Sequence, residues 1–198
     1  MIVEVCANSY ESAINAELGG ANRIELCKDL HLDGLTPDDE VVIKAFNKLK
    51  IPVFILIRPR AGNFVYTNEE FELMKSDIIK FKKLGCGGIV SGVLKKDNTI
   101  DLERTKELIE LSRPLEFTFH RAFDKIVDPI KGLEELIEIG VDRVLTSGQE
   151  DSAIKGIGLI EKLIEIAANR IAIMPGSGVR SVNIKEFITI SANEIHGS

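Results

Sequence analysis

The sequence predicts an α/β fold, a (β/α)8 barrel of the TIM type. Short β-like runs and amphipathic helical segments alternate along the whole chain, and such alternation implies parallel strands joined by helical crossovers. The β-like runs number eight. This number favours a closed barrel over an open doubly wound sheet, which satisfies the same alternation.

The strands are predicted where apolar residues alternate or run together between glycine and proline signals. The eight runs are residues 2–7, 23–27, 52–58, 87–94, 116–121, 142–148, 170–176 and 193–198. Helical spacing of apolar residues predicts helices in the segments between them: 9–20, 37–50, 67–85, 101–112, 128–140, 152–168 and 181–190.

Local signals support these helices. Pro37 and Pro129 are predicted in the first turns of the helices 37–50 and 128–140. Segment 67–85 is acidic near its beginning and basic near its end, as the helix dipole favours. The chain stops at the last strand, so the pattern has no eighth helix: either the barrel closes without it or the sequence is shortened. An incomplete helical ring would leave apolar strand surface for a second chain to cover, as in a homo-oligomer.

Composition restricts the class of protein. The chain has 198 residues, of which 44% are hydrophobic and 28% charged, and this predicts one globular domain over residues 1–198. A net charge of −6 argues against a nucleic-acid partner. The sequence shows no secretory signal and no apolar run near the ~20 residues that cross a bilayer. We therefore expect a cytoplasmic protein without a membrane partner, whose three cysteines are free thiols.

Polar residues of one parity mark the ends of five predicted strands. In a barrel of this type, chemistry sits at the C-terminal ends of the strands, and inward side chains alternate with outward ones. We therefore predict that these residues face a common pocket, to which Arg121 also belongs. The five pairs are Glu4 and Cys6, Glu25 and Cys27, Arg58 and Arg60, Thr118 and His120, and Glu194 and His196.

Structural interpretations of the same residues stay open. A buried cysteine often packs as a small apolar side chain, and this is the expected role of Cys86. Inward carboxylates need partners because an unpaired buried charge is costly. Glu4 and Glu25 could therefore belong to an ion-pair network with Arg58 and neighbouring arginines. His31, in the loop after the second strand, could be a lid residue or merely solvated.

The loop at residues 174–179 suggests an anion site. Backbone N–H groups after strands seven and eight of such barrels often bind phosphate, and glycines let the backbone approach the anion closely. Gly176 and Gly178 provide this freedom, and Ser147 lies in a similar loop after the sixth strand. With the arginines at positions 58, 60 and 121, these residues predict a small anionic ligand.

The sequence also resembles a known family, that of the copper homeostasis protein CutC. The resemblance spans residues 2–198 through the stretches EVCANSYESAINAELGGANRIELC, GLTP, IRPRAGNF, ELMKSDI, TFHRAFD, RVLTSG, IMPGSGV and EIHGS. It implies a cytoplasmic TIM-type barrel linked to copper handling, with Cys6 and Cys27 as the copper-binding thiols. The chain departs from the family pattern in two ways: Asp33-Gly34 replaces a glycine pair, and relatives continue for tens of residues beyond EIH.

These observations give a predicted function and an alternative. Thiolates are soft ligands that suit Cu(I), and adjacent strands lie about 4.8 Å apart, so Cys6 and Cys27 could bind one copper ion. We take copper homeostasis through Cu(I) binding as the predicted function. The sequence contains no CxxC, Met-rich tract or histidine cluster that would support it further.

The alternative is a barrel enzyme of unknown reaction that acts on a small anionic substrate. In it the arginines and the glycine loop hold the anion, while His120 or His196 acts as general acid or base with Glu4 or Glu25 as partner carboxylate. The arginines and histidines favour this alternative, because a bare Cu(I) site does not need them. An interaction scaffold without a ligand would leave the inward polar pairs unexplained.

Overall fold

The computed structural model describes residues 1–197 and consists of eight parallel strands in a nearly closed barrel, with helices around it. The hydrogen-bonded strand order is β7-β6-β5-β4-β3-β2-β1-β8, so the two strands at the ends of this order face each other across the seam of the barrel. The predicted fold class is therefore confirmed. Within the described part of the chain, no helix is long and apolar enough to cross a membrane.

All eight predicted strands are present. Their bounds are Ile2–Ala7 (β1), Arg23–Leu26 (β2), Val53–Leu56 (β3), Gly88–Ser91 (β4), Glu116–Phe119 (β5), Arg143–Thr146 (β6), Ala172–Pro175 (β7) and Glu194–Gly197 (β8). Seven α-helices follow the first seven strands among residues 1–197: Tyr10–Leu18 (α1), Asp39–Lys48 (α2), Asn68–Leu84 (α3), Leu102–Ser112 (α4), Pro129–Glu138 (α5), Ile157–Ala167 (α6) and Ile184–Thr189 (α7).

Two details of the sequence prediction are wrong. Pro37 precedes Asp38, the N-cap of α2, and so lies outside the first helical turn. Arg121 is not in the fifth strand but opens a 3-10 turn, Arg121–Lys125. The turn begins here because the His120 side chain accepts a hydrogen bond from the Ala122 N–H at 3.2 Å, which bends the chain away from the sheet.

Strand residues alternate between the barrel interior and the helix layer, as expected. Leu26, Phe119 and Ile195 are buried in the large core between strands and helices, and Val5 packs against it. A second, smaller apolar cluster fills the interior and consists of Cys6, Cys27, Phe54, Leu56 and Val90. The cysteines therefore lie on the inner face of the barrel.

A layer of buried ion pairs lies below the cysteines, nearer the beginnings of the strands. Arg23 donates to Glu4 and Glu194, at 2.5 Å in each case, and Arg143 donates to the same Glu194 at 2.5 Å. Both guanidinium groups also lie over the ring of Phe54, at 4.8 and 5.6 Å from its centroid. Glu4 is thus paired with Arg23 rather than with Arg58 as the sequence suggested, and Glu194 is paired with Arg23 and Arg143. Glu25 has no arginine at ion-pair distance within residues 1–197.

Candidate functional site

The two thiols of the barrel interior are in direct contact. The Sγ atoms of Cys6 and Cys27 lie 3.3 Å apart, and both cysteines are free and buried. Strand pairing brings them together: Cys6 is opposite Glu25 in the β1–β2 register, and Cys27 follows two residues later on the same face. Gly34, with φ +83°, covers Cys27, and a Cβ at this glycine would come within 2.9 Å of the Leu56 side chain.

A carboxylate and an imidazole adjoin this thiol pair. The Cys6 Sγ lies 3.8 Å from Glu25 Oε1, and His196 Nδ1 lies 3.9 Å from Glu25 Oε2. The sulfur of Cys6 and one ligand atom each of Glu25 and His196 all lie within 4.8 Å of one another. His196 Nδ1 also contacts Glu4 Oε1 at 2.8 Å, which links the thiol pair to the layer of ion pairs.

The two carboxyl groups next to His196 have pKa values shifted in opposite directions. Burial raises the pKa of Glu25 to about 7, an effect that the charge of His196 only partly offsets. Burial acts in the same direction on Glu4, but the hydrogen bond from His196 and the charges of His196 and Arg23 outweigh it and lower the pKa of Glu4 to about 2. Glu4 is therefore ionised at neutral pH, whereas Glu25 exchanges its proton there.

The pKa values of His196 and Cys6 are both raised. Burial alone would lower the pKa of His196, but the hydrogen bond with Glu4 and the charges of Glu25 and Glu4 raise it. The pKa of the Cys6 thiol is raised well above its ordinary value by the hydrogen bond with Cys27, by burial and by the charge of Glu25. Without a metal ion, Cys6 is therefore a protonated thiol.

A cavity of about 480 Å³ opens above this cluster at the C-terminal ends of the strands. Its floor contains Cys6, Glu25 and His196, so ligand-forming atoms are at the bottom of an open pocket. The residues that line it are Cys6, Glu25, Leu30, Asp33, Leu56, Arg58, Phe64, His120, Arg121, Lys125, Leu145, Asp151, Ser177, Gly178 and His196.

His120 and Arg58 are both buried in one side of the cavity. The His120 ring packs against Phe64, with ring centroids 4.8 Å apart, and its Nε2 has no hydrogen-bond partner within residues 1–197. Burial and the positive charge of Arg58 lower the pKa of His120 to about 3, so the ring is neutral. Arg58 donates to the carbonyls of Leu32, Gly34 and Gly62 at 2.7 to 3.0 Å.

Arg121 and Ser147 are held together by Asp124, which the sequence analysis did not single out. Asp124 accepts hydrogen bonds from Arg121 Nε at 2.8 Å, from Thr146 Oγ1 at 2.5 Å and from the Ser147 backbone N–H at 3.0 Å. Ser147 Oγ also accepts from Arg121 at 3.0 Å and donates to the Glu150 carbonyl at 2.5 Å. Arg121 reaches the cavity, whereas Ser147 is fully buried behind it.

Two other predicted anion-binding residues, Arg60 and Gly176, do not line this cavity. The Arg60 guanidinium donates to Glu70 at 2.6 Å and to carbonyls of its own loop, and so faces α3. The Gly176 N–H donates to the Thr146 carbonyl at 2.9 Å, and a Cβ at Gly176 would come within 2.4 Å of Leu145. Gly176 therefore serves close packing, while Gly178, at φ +72°, does line the cavity.

The remaining cysteine and histidine are elsewhere. Cys86 is buried in the outer core, where burial raises the pKa of its thiol to about 11. His31 is an exposed residue of the 3-10 turn Leu30–Leu32. The alternation of side chains could have identified Arg23 and Arg143 from the sequence. Each lies two residues before an inward residue of its strand, Glu25 or Leu145, and therefore also points into the barrel. No sequence signal distinguishes Asp124 from other turn acids.

The thiol pair together with Glu25 and His196 forms a set of ligand groups that fits a soft or borderline cation. Two thiols in contact supply the soft ligands that Cu(I) prefers, and cysteine, carboxylate and imidazole together are also found around Zn²⁺. Bound as thiolates, the two sulfurs carry negative charge that protonated His196, on the same floor, can balance. The arrangement can therefore exchange thiol protons for a metal ion without leaving a large net charge buried.

Solved structures of other proteins share the fold of this chain. An aldolase matches over 100% of this chain and 89% of its own, with a TM-score of 0.72 and 13% sequence identity. At this identity the match supports only the shared barrel. By contrast, the structure described as a copper homeostasis protein, CutC, from Streptococcus agalactiae is 34% identical. It covers 100% of this chain and 98% of its own, with a TM-score of 0.94.

Sequence comparison gives the same family. Residues 1–198 match the sequence profile of the CutC family. The human copper homeostasis protein cutC homolog is 48% identical over the whole chain, which spans 72% of the human protein. A family protein CutC from Parabacteroides distasonis is 47% identical over the whole chain, which spans 82% of that protein. The chain therefore belongs to the CutC family, whose human and mouse members are named copper homeostasis proteins.

Proposed function

We propose that this protein acts in copper homeostasis by binding Cu(I) between the thiolates of Cys6 and Cys27. The observation that carries this proposal is the 3.3 Å contact between the two sulfurs, of which that of Cys6 belongs to the floor of an open cavity. Thiolates favour Cu(I) over the harder divalent cations. Membership of the CutC family supports copper as the ion.

The surroundings of the thiols suit a monovalent soft ion. Two thiolates and one Cu(I) carry a net charge of −1, and the hydrogen bond with Glu4 raises the pKa of His196, which favours a balancing positive charge next to them. Glu25, which contacts Cys6 at 3.8 Å, is a third donor within reach. Glu4 orients His196 through the 2.8 Å contact between them, which is the role that carboxylates play next to metal-binding histidines.

The test is Cu(I) binding in competition with a strong chelator. We expect one Cu(I) per wild-type chain and loss of this binding in the double variant Cys6→Ser/Cys27→Ser. Cys86→Ser is the matched control, because it removes a thiol that is equally buried but lies in the outer core. Unchanged affinity in the double variant would refute the proposal. Stronger retention of Zn²⁺ than of Cu(I) by the wild type would reassign the ion.

We further propose that the protein works in the cytoplasm. Cys6, Cys27 and Cys86 are all free, and a reducing compartment keeps thiols in the state that Cu(I) binding requires. Cell fractionation combined with thiol alkylation before lysis tests this proposal. Recovery of the protein in a secreted or periplasmic fraction, or with Cys6 and Cys27 oxidised in situ, would contradict it.

A second candidate function is catalysis on a small anionic molecule. The specific observation in its favour is the placement of Glu25 and His196 side by side on the floor of the 480 Å³ cavity, 3.9 Å apart. A carboxyl group that exchanges its proton near neutral pH suits general acid–base chemistry. The test is turnover of small carboxylates or phosphate esters by metal-free protein. Turnover that survives Glu25→Gln would exclude this assignment.

A further inference from the structure

One side of the cavity carries a buried positive charge that no carboxylate of residues 1–197 neutralises. Arg58 is only 3% exposed. Its terminal nitrogens donate to three backbone carbonyls, and its Nε has no hydrogen-bond partner among the residues that the structure describes. Within residues 1–197, no carboxylate lies at ion-pair distance from this guanidinium. Since a buried unpaired charge is costly, the geometry leaves room for an external anion to balance it.

His120 adds a neutral hydrogen-bond donor on the same side. Its Nδ1 accepts the Ala122 N–H at 3.2 Å, so the proton of the neutral ring is on Nε2. That Nε2 is buried and has no acceptor among the described residues. The contact with Phe64 holds the ring in place. A donor that is fixed, buried and unsatisfied is a specific feature, because buried polar groups are normally paired.

Two more cations line the cavity next to these groups. Arg121 is oriented by Asp124, which accepts from its Nε at 2.8 Å, and Lys125 is exposed at the rim. We call these four residues the donor wall: Arg58, His120, Arg121 and Lys125. Three carboxyl groups also line the cavity: Glu25 is in the floor, and Asp33 and Asp151 are in the loops after β2 and β6. Asp151 is paired with Lys155 at 3.1 Å.

We propose that the donor wall binds the oxyanion group, carboxylate or phosphate, of a small organic molecule. His120 Nε2–H and Arg58 Nε–H are the direct donors, Lys125 supplies positive charge at the rim, and Arg121, which is paired with Asp124, adds a guanidinium group beside them. The cavity volume of about 480 Å³ is within the ~300–1,000 Å³ typical of small-molecule pockets. This site is separate from the thiol pair, of which only Cys6 lines the cavity, and it depends neither on copper binding nor on a reaction.

The test follows the His120 ring directly. Metal-free protein labelled with ¹⁵N-histidine is titrated with acetate, malonate and inorganic phosphate, with sodium chloride at matched ionic strength as the reference. We expect a saturable shift of the His120 Nε2 resonance with at least one oxyanion but not with chloride. Response to the two carboxylates alone, to phosphate alone, or to both identifies the oxyanion class and supports the proposal.

Variants separate this site from adventitious binding. His120→Phe keeps an aromatic ring against Phe64, and we expect it to weaken oxyanion binding about tenfold, the loss of one hydrogen bond to a charged group. Lys125→Gln, at an exposed position, should weaken binding without affecting the fold. The matched control is Lys162→Gln, which removes the same charge from the outer surface of α6.

Two results would overturn the proposal. One is the absence of a saturable shift with all three anions. The other is oxyanion binding that Lys125→Gln and Lys162→Gln leave equally unchanged, which would show that the anions bind elsewhere. Cu(I) binding is measured in the same variants. Because the donor wall does not include Cys6 or Cys27, Cu(I) affinity that stays at the wild-type level while oxyanion binding falls supports two separate sites.

Discussion

The Sγ atoms of Cys6 and Cys27 lie 3.3 Å apart although the two residues are 21 positions apart in the sequence. Parallel pairing of β1 and β2 brings them together, with Cys6 opposite Glu25 and Cys27 two residues further on. The thiol pair is therefore a product of strand register rather than of a local motif. A substitution in the barrel interior next to β1 or β2 should therefore alter the distance between the two sulfurs even when both cysteines are retained.

Cu(I) binding should release protons. Because hydrogen bonding to Cys27 and burial raise the pKa of Cys6 well above its ordinary value, the metal must displace at least one thiol proton at neutral pH. We expect the apparent affinity to rise by up to about tenfold per pH unit for each proton displaced. Competition titrations at several pH values, corrected for protonation of the chelator, measure this slope. An affinity independent of pH would contradict it.

Removing one arginine from the buried ion-pair layer should strongly destabilise the fold. Arg143→Met leaves Glu194 with only Arg23 as partner and leaves Glu116 without its 3.0 Å contact. Breaking a buried pair costs about 3–5 kcal/mol in the free energy of unfolding, which chemical denaturation measures.

Arg170→Met is the control for that variant. The Arg170–Glu134 pair is at the surface, with both side chains more than 40% exposed, and such pairs contribute about 0–1 kcal/mol. Similar losses in the two variants would show that the inner layer contributes no more than a surface pair.

His120 should make the protein less stable in acid. Its pKa is about 3 in the folded state and about 6.5 in an unfolded chain. The unfolded state thus binds more protons in this window, and the histidine's contribution to stability is lost as pH falls through it. Below about pH 6.5, we expect the free energy of unfolding of His120→Phe to rise relative to that of the wild type by up to about 1.4 kcal/mol for each unit by which the pH falls. Denaturation at several pH values measures this difference.

Glu25 should show the opposite dependence. Burial raises its pKa to about 7, above the value of about 4.3 in an unfolded chain. Its contribution to stability is therefore fully present below about pH 4.3 and is lost as pH rises towards 7. Glu25→Gln should become less stable relative to wild type as pH falls through this window. Parallel curves for Glu25→Gln and His120→Phe would contradict both pKa shifts.

The close approach of β4 to Phe54 should not tolerate a side chain. A Cβ at Gly88 would lie 2.5 Å from the Phe54 ring, which packs under Arg23 and Arg143. We expect Gly88→Ala to lower the free energy of unfolding by about 1–3 kcal/mol. The control is Gly158→Ala on the exposed face of α6, where nothing lies within 4 Å. Gly158→Ala should raise the free energy of unfolding by about 0.5–1 kcal/mol because alanine favours the helix. Equal effects of the two variants would contradict the predicted clash.

The hydrophobic pattern and the parity of polar residues were enough to predict much of the molecule. Strand and helix periodicities predicted the eight strands and seven helices within a few residues. Parity placed Cys6 and Glu25 on the same inner surface, because side chains alternate strictly along a strand. The family resemblance extended over the same residues that the sequence comparison now matches.

The ends of the elements were less predictable, because side-chain hydrogen bonds decide them. The fifth strand ends before Arg121 since His120 caps the following 3-10 turn, and the sixth ends at Thr146 because Asp124 accepts the Ser147 N–H. The first interaction is local, between residues two positions apart, whereas the second joins residues 23 positions apart and depends on the tertiary structure.

What the sequence by itself determined is the barrel and the set of groups on its inner face, since both follow from periodicity. Only the tertiary structure decided which charges neutralise one another. Glu4 and Glu194 are paired with Arg23 and Arg143, Arg60 is bound to Glu70, and Arg58 has no carboxylate partner in the described part of the chain. The reason is that an ion pair requires two side chains to meet within about 4 Å, and strand register, barrel curvature and loop path set that distance.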